Sequence, residues 1–197
     1  MLIRWITLIA TISLSLWATS TWAQWTLDND RSRLSFISTK AGDIAEVHYF
    51  KNLSGTLLES GDAQVSVKLA SVETLIPIRN QRIKTFLFQS DIFPEATLRT
   101  NVDPLILSGF NAGDTLLFNT DATLTLKDKT IPINLNTLVA KLDGETLVIS
   151  SLVPIILTAQ DTGLTQGIEK LRSLAGLPSI SQSVPVSFVL TFRKHGP

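Results

Sequence analysis

Along two stretches of this chain the apolar residues fall on every second position. Ala63, Val65, Val67 and Leu69 alternate with Gln64, Ser66 and Lys68, and Val184, Val186, Phe188, Leu190 and Phe192 alternate with Pro185, Ser187 and Thr191. Successive side chains of a β-strand point to opposite faces, so each stretch presents one apolar face that has to be covered. A chain made of such strands hides those faces either by stacking two sheets or by closing one sheet into a barrel.

Weaker strands fill the interval. Residues 33–39 alternate through Leu34 and Phe36, residues 45–50 are short and aromatic, residues 53–59 follow a Lys51-Asn52 turn, and residues 97–102 form a polar candidate. Residues 116–126 place Ala122, Leu124 and Leu126 on one face, and Lys127-Asp128-Lys129 turns the chain back into Ile131, Ile133 and Leu135. Asp143-Gly144 is the dipeptide favoured in a type I′ hairpin. It leads into a strand over about 145–157, in which Pro154 has no N–H for a ladder and makes an edge, a bend or a bulge. The expected total is eight or nine strands.

Two segments leave the period of two. In residues 77–88, Ile78, Arg79, Arg82, Ile83, Phe86 and Leu87 fit a helix with Pro77 in its first turn. In residues 165–175, Ile168, Leu171, Leu174 and Ala175 form a helical stripe, with Gly176 and Pro178 as its stop. The class is therefore all-β with one or two short helices. Strand count alone leaves sandwich and barrel both open.

The N-terminus follows a different pattern. Arg4, an uncharged run over 5–18 and Thr21-Trp22-Ala23 before Gln24 have the layout of a secretory signal peptide. Its apolar core is shorter than the roughly 20 residues a spanning helix needs, so no stable membrane span is expected. The organisation read here is a signal peptide over 1–23 and one domain over 24–197. The chain has no cysteine, which leaves no attachment point for a lipoprotein lipid. A domain this long buries enough surface to stand without disulfides. Lys+Arg and Asp+Glu are 17 each, so no overall positive charge drives binding to nucleic acid or to an anionic membrane.

Catalytic signatures are missing: there is no Gly-x-Ser-x-Gly elbow, Walker loop, dinucleotide fingerprint or His-Glu-x-x-His. The histidines are His48 and His195, and a metal site would have to combine His48 with Glu46, a thin ligand set for zinc. Neither an enzyme nor a cofactor is expected. Asp161, Thr162 and Gly163 read as a turn. Residues 44–50 are ambiguous. Pattern alone turns the wholly apolar Ala45, Val47 and Tyr49 inward, which leaves Ile44, Glu46, His48 and Phe50 on the other face.

Trp25-Thr-Leu-Asp28, Ser32-Arg-Leu-Ser-Phe36 and Leu53-Ser-Gly55 are followed by Ser71-Val-Glu-Thr74, Ile78-Arg-Asn-Gln-Arg82, Leu87-Phe88 and Phe93-Pro94-Glu-Ala96. Ala159-Gln-Asp-Thr-Gly-Leu164, Gly167-Ile-Glu-Lys-Leu171 and Val184-Pro-Val-Ser-Phe188 complete the series. In order and spacing these pieces resemble the YceI-like family of bacterial lipocalin-like proteins over almost the whole chain beyond Trp25. The chain departs from the family pattern at Arg31, where many members have His, at Asn80, where they have Asp, and at Thr162, where they have Phe.

The resemblance implies an extended antiparallel lipocalin-like β-barrel of about eight strands around an elongated apolar cavity. It implies a periplasmic protein that sequesters or transports an isoprenoid, such as a polyprenyl quinone tail, or another amphiphilic lipid. Leu34, Phe36, Val65, Val67, Leu69, Leu124, Leu126, Phe188 and Leu190 are then candidates for the cavity lining, ordinary core packing being the simpler reading of each alone. The resemblance favours the inward parity that includes Phe50, which would let Glu46 and His48 meet a polar headgroup at a barrel end. Arg79 and Arg82 could cap the mouth, although pairing with Glu73 or Asp91 to hold the helix on the barrel is the simpler reading. Asn80 is expected in solvent. The competing reading is a barrel with a filled core that serves as a non-catalytic accessory in the envelope or in a stress response. A third is a quinone-linked redox partner such as a cytochrome, whose redox centre would belong to that partner. Homodimerisation is left open.

Overall fold

The computed structural model describes residues 24–195; segment 1–23, read above as a signal peptide, lies outside the described residues. Twelve antiparallel strands share one sheet. They are β1 (Gln24–Leu27), β2 (Arg33–Lys40), β3 (Ile44–Phe50), β4 (Leu53–Leu58), β5 (Asp62–Lys68), β6 (Val72–Glu73), β7 (Glu95–Asn101), β8 (Thr115–Leu126), β9 (Lys129–Lys141), β10 (Thr146–Ser151), β11 (Ile155–Thr158) and β12 (Ser183–His195). Helix α1 (Pro77–Arg82) runs on into the wider π-type turns of Ile83–Phe88, α2 is Pro104–Ser108 and α3 is Thr165–Ala175.

The pairing β1-β4-β5-β7-β8-β9-β10-β12 returns to β1 through Gln24↔His195 and Leu27↔Phe192, which closes an eight-stranded barrel. Strand β12 is long enough to serve two partners on each edge. Its C-terminal half pairs with β10 and β1, and its N-terminal half with β11 and β2. Each partner pair is one strand interrupted. Between β1 and β2 stands a 3₁₀ turn over Asn29–Arg31, where the Asp28 carboxylate accepts from the Asp30 N–H. Between β10 and β11 stand residues 152–154, ending in the proline that cannot join a ladder. These interruptions and the two-residue β6 explain why twelve strands appear where eight or nine were expected.

One local expectation needs correction. Gly144 does not take a positive φ, so Asp143-Gly144 is not a type I′ turn; the Asp143 carboxylate instead accepts from the Glu145 N–H and the Thr146 hydroxyl and shapes a longer loop. The tight two-residue turn lies at Lys127-Asp128, joining Leu126 to Lys129, with Lys127 at φ 55°. Helix α2 carries no pattern that the alternation revealed. Its first turn is capped by Asp103, which accepts from the Leu105 N–H ahead of Pro104 at N1.

The inward faces of the strands bury Leu27, Leu57, Val67, Leu126, Leu147, Phe188 and Phe192, among others. One end of this core is covered by α1, its π-type extension and α3. The two helices lie very close: a Cβ on Gly167 would stand 2.8 Å from the Phe86 carbonyl oxygen and 2.9 Å from Leu87 Cα. Only glycine allows this approach, and it turns the pair into a single lid.

Candidate functional site

Beneath the lid the barrel is hollow. A cavity of about 170 Å³ is walled by β2, β3, β5, β7, β8, β9, β11 and β12 and roofed by Leu87, Phe88 and Ile168. Its polar lining residues are Thr158 and Thr162, and the Thr162 hydroxyl is spent on the Thr158 carbonyl at 2.7 Å. No charged side chain among the described residues reaches it. A second cavity of about 100 Å³ lies toward α2, roofed by Ile106 and Phe110. Of its threonines, Thr100 donates to the Asp121 carbonyl and Thr137 to the Phe118 carbonyl. Val65, Leu98, Phe188 and Leu190 line both spaces and form the waist between them. Such walls offer neither a charge nor a free hydrogen bond, so they discriminate by shape and hydrophobicity alone.

The structure places Leu34, Phe36, Val65, Val67, Leu69, Leu124, Leu126, Phe188 and Leu190 together in the wall of the first cavity. Sequence reasoning missed the lid contacts Leu87, Phe88 and Ile168, and Leu98 on the polar strand β7. Helical periodicity marks an apolar face on each lid segment without saying what that face covers. Leu98 stands isolated among Thr97, Arg99 and Thr100 and has no alternating apolar neighbour on its C-terminal side.

The four polar candidates divide. Glu46, His48 and Phe50 face inward on β3, whereas Ala45 is exposed and Val47 is 67% exposed. This overturns the parity that pattern alone suggested. The reason is that the inward polar groups find partners from elsewhere in the chain. Glu46 Oε2 pairs with Lys40 Nζ and with Arg79 Nη1, each at 2.7 Å, and His48 Nε2 lies 2.9 Å from the Ser38 hydroxyl. Tyr49, on the other face, is partly covered by the Arg33 guanidinium 4.2 Å above its ring.

Arg79 binds Glu46 and donates from Nη2 to the Thr74 carbonyl at 2.6 Å, so its partner is neither Glu73 nor Asp91. Glu73 is engaged by Lys51, by Asn80 Nδ2 and by the Leu75 N–H, which together hold its carboxyl down to about 2. Asn80 is not in solvent: its Oδ1 accepts from the Thr74 N–H and hydroxyl. Arg82 donates to the Leu174 carbonyl, bridging α1 to α3. Neither arginine lines the cavity.

His48 is only 3% exposed, and its ring meets Phe36 edge-on at 5.3 Å between centroids. Phe36 and Phe50 line the cavity, so the polar cluster sits directly behind its wall. Burial, and then the Arg79 charge, lower the His48 pKa. The Lys40 hydrogen bond, followed by that of Arg79, lowers the Glu46 pKa against the opposing effect of burial. Two buried nitrogens in this cluster, His48 Nδ1 and Arg79 Nε, have no hydrogen-bond partner among the described residues. The Asp161-Thr162-Gly163 segment is a turn, with Asp161 Oδ2 accepting from the Thr158 hydroxyl. Among the described residues no group of three or more His, Cys, Asp or Glu side chains could hold a metal ion. No helix among them is long and apolar enough to cross a membrane.

A closed eight-stranded barrel around an apolar space, roofed by a helical lid, defines a barrel suited to a hydrophobic or lipid ligand. The chain belongs to the YceI-like family, whose domain model matches residues 25–192. It is similar to the structure of a polyisoprenoid binding domain from Saccharophagus degradans implicated in plant cell wall breakdown, at 36% identity and a TM-score of 0.84, covering 86% of this chain and 97% of that one. The fold is shared with BcnA of Burkholderia cenocepacia, at 19% identity and TM-score 0.61 over 84% of this chain and 98% of that one. It is shared as well with the YCEI protein of Campylobacter jejuni, at 17% identity and TM-score 0.53 over 76% and 85%. None of the curated proteins matches the chain.

Proposed function

We propose that this protein is an exported, periplasmic carrier that takes the isoprenoid tail of a polyprenyl lipid or quinone into its barrel and holds it without chemical change. The observation that carries the reading is the pair of stacked cavities, bounded by aliphatic and aromatic side chains and by threonines whose hydroxyls are largely engaged by backbone carbonyls. The relative from Saccharophagus degradans, described as a polyisoprenoid binding domain, supports the choice of cargo. The layout of residues 1–23 supports export.

The energetics suit a tail. Each five-carbon isoprene unit removed from water contributes on the order of 3 to 4 kcal/mol by methylene bookkeeping, less the cost of ordering and association. A few units in a dry barrel therefore bind without a polar contact. Glu46, His48 and Arg79 line neither cavity, and His48 packs edge-on against Phe36 from behind, so this cluster braces the wall rather than receiving the headgroup.

Titration of delipidated protein with quinones that share a headgroup and differ in tail length tests this. Affinity should climb with each added isoprene unit and level off once both cavities are filled. Equal affinity for a tailless quinone and a long-tailed one would refute tail recognition.

A further inference from the structure

We propose that the outer face of the lid docks on an anionic lipid bilayer, which sets the roof of the cavity at the surface from which cargo is drawn. The inference rests on the carrier reading for its purpose, and on three observations of its own.

The lid is apolar on both sides. Leu87, Phe88 and Ile168 face the cavity, yet Ile78 is 57% exposed on the same segment, and Phe86 and Leu174 are each more than a third exposed. Ile78, Arg82 and Phe86 succeed one another at a spacing of four along α1 and its extension, and Lys170 and Leu174 do so along α3. Two contacts join the rows into one surface: Arg82 Nη1 donates to the Leu174 carbonyl at 3.3 Å, and Lys170 Nζ stands 5.7 Å from the centre of the Phe86 ring. Leu75 and Ile76, which lead into α1, are exposed too, and Leu75 is held at φ 62°, a conformation unfavourable for a bulky side chain.

This face is also basic. Although the whole chain balances 17 basic against 17 acidic residues, residues 77–88 and 165–175 hold five basic residues and one acidic one. Glu46 answers Arg79, and Glu169 is taken by Arg172. Arg82, Lys84 and Lys170 have no carboxylate partner among the described residues. Screening confines a charged surface's influence to about 8 Å at physiological salt, so the local excess, not the zero total, is what a nearby surface feels. Apolar side chains set among lysine and arginine on a helical face form the pattern that settles into an anionic lipid interface.

Flotation of the mature protein with protein-free vesicles tests the docking, with the cargo content of the same preparation measured by organic extraction. The protein should float with vesicles containing phosphatidylglycerol, stay behind with pure phosphatidylcholine, and detach as salt is raised. Lys84→Glu with Lys170→Glu should lower partitioning about tenfold or more, and Ile78→Ser with Phe86→Ser should lower it as well. Both double variants should keep cargo already bound, because none of the four residues lines a cavity. Unaltered melting curves would show that they are folded. Failure of lipid-loaded protein to float, or flotation unchanged in both variants, would overturn the proposal. Binding only to vesicles that carry membrane proteins would overturn it in favour of a protein partner. A preparation that floats but yields no lipid would sustain the docking and count against the carrier reading.

Discussion

Arg79 on α1 donates from Nη1 to Glu46 Oε2 on β3 at 2.7 Å, across 33 residues of chain. The same guanidinium holds the Thr74 carbonyl and Lys40 shares the carboxylate, so one ion pair fastens the start of the lid to the barrel. Glu46→Gln should therefore release the lid rather than unfold the protein. A partly exposed pair of this kind contributes about 1 kcal/mol, and cargo exchange should accelerate several-fold in a stopped-flow assay with a fluorescent lipid. A double-mutant cycle with Arg79→Gln that gives strictly additive effects would show that the pair does not act as a clasp.

His48 makes stability depend on pH. Burial and the neighbouring Arg79 lower its pKa below the ordinary value of 6.5, so between 6.5 and the lowered value the unfolded chain binds more protons than the folded one. Stability rises with pH wherever that holds. The contribution is thus fully present above pH 6.5 and is lost as pH falls toward the folded-state value. Urea denaturation from pH 7.5 to 5 should show stability declining in the wild type and a flatter profile in His48→Gln. Parallel profiles would place the pH dependence elsewhere.

Gly167 is kept by packing. In an open helix Gly→Ala stabilises by about 1 kcal/mol, but here the new Cβ would lie 2.8 Å from the Phe86 carbonyl oxygen and 2.9 Å from Leu87 Cα. Gly167→Ala should push α3 off the lid and destabilise by about 1 to 3 kcal/mol. An increase in melting temperature would mean that the two helices are not packed this closely.

Phe188 lies at the waist shared by both cavities. Phe188→Asp puts a carboxylate where nothing can pair with it, so it should abolish lipid co-purification and cost several kcal/mol. Phe188→Leu keeps the site apolar and should retain cargo. Lipid at wild-type stoichiometry in a folded Phe188→Asp protein would remove this residue from the binding site.

Much of the barrel is legible from alternation. On β5 and β12 the apolar residues form uninterrupted stripes, and α3 spans the residues that its apolar stripe and terminal Gly176 indicate. On β3 the same logic fails. Val47 looks like an interior residue and His48 an exterior one until Ser38, Lys40 and Arg79 are seen to supply partners from two other segments. Long-range pairing of this sort leaves no periodic trace. The lid shows the same limit: both of its faces carry apolar residues, and only the fold distinguishes Phe88, over the cavity, from Phe86, toward solvent.

Native mass spectrometry of the protein purified without detergent, followed by organic extraction, shows whether the hollow barrel carries an apolar tail. A stoichiometric added mass that dissociates as a polyprenyl or closely related lipid is the expected result. A bare polypeptide mass that stays unchanged after incubation with ubiquinone or polyprenol would contradict the carrier reading.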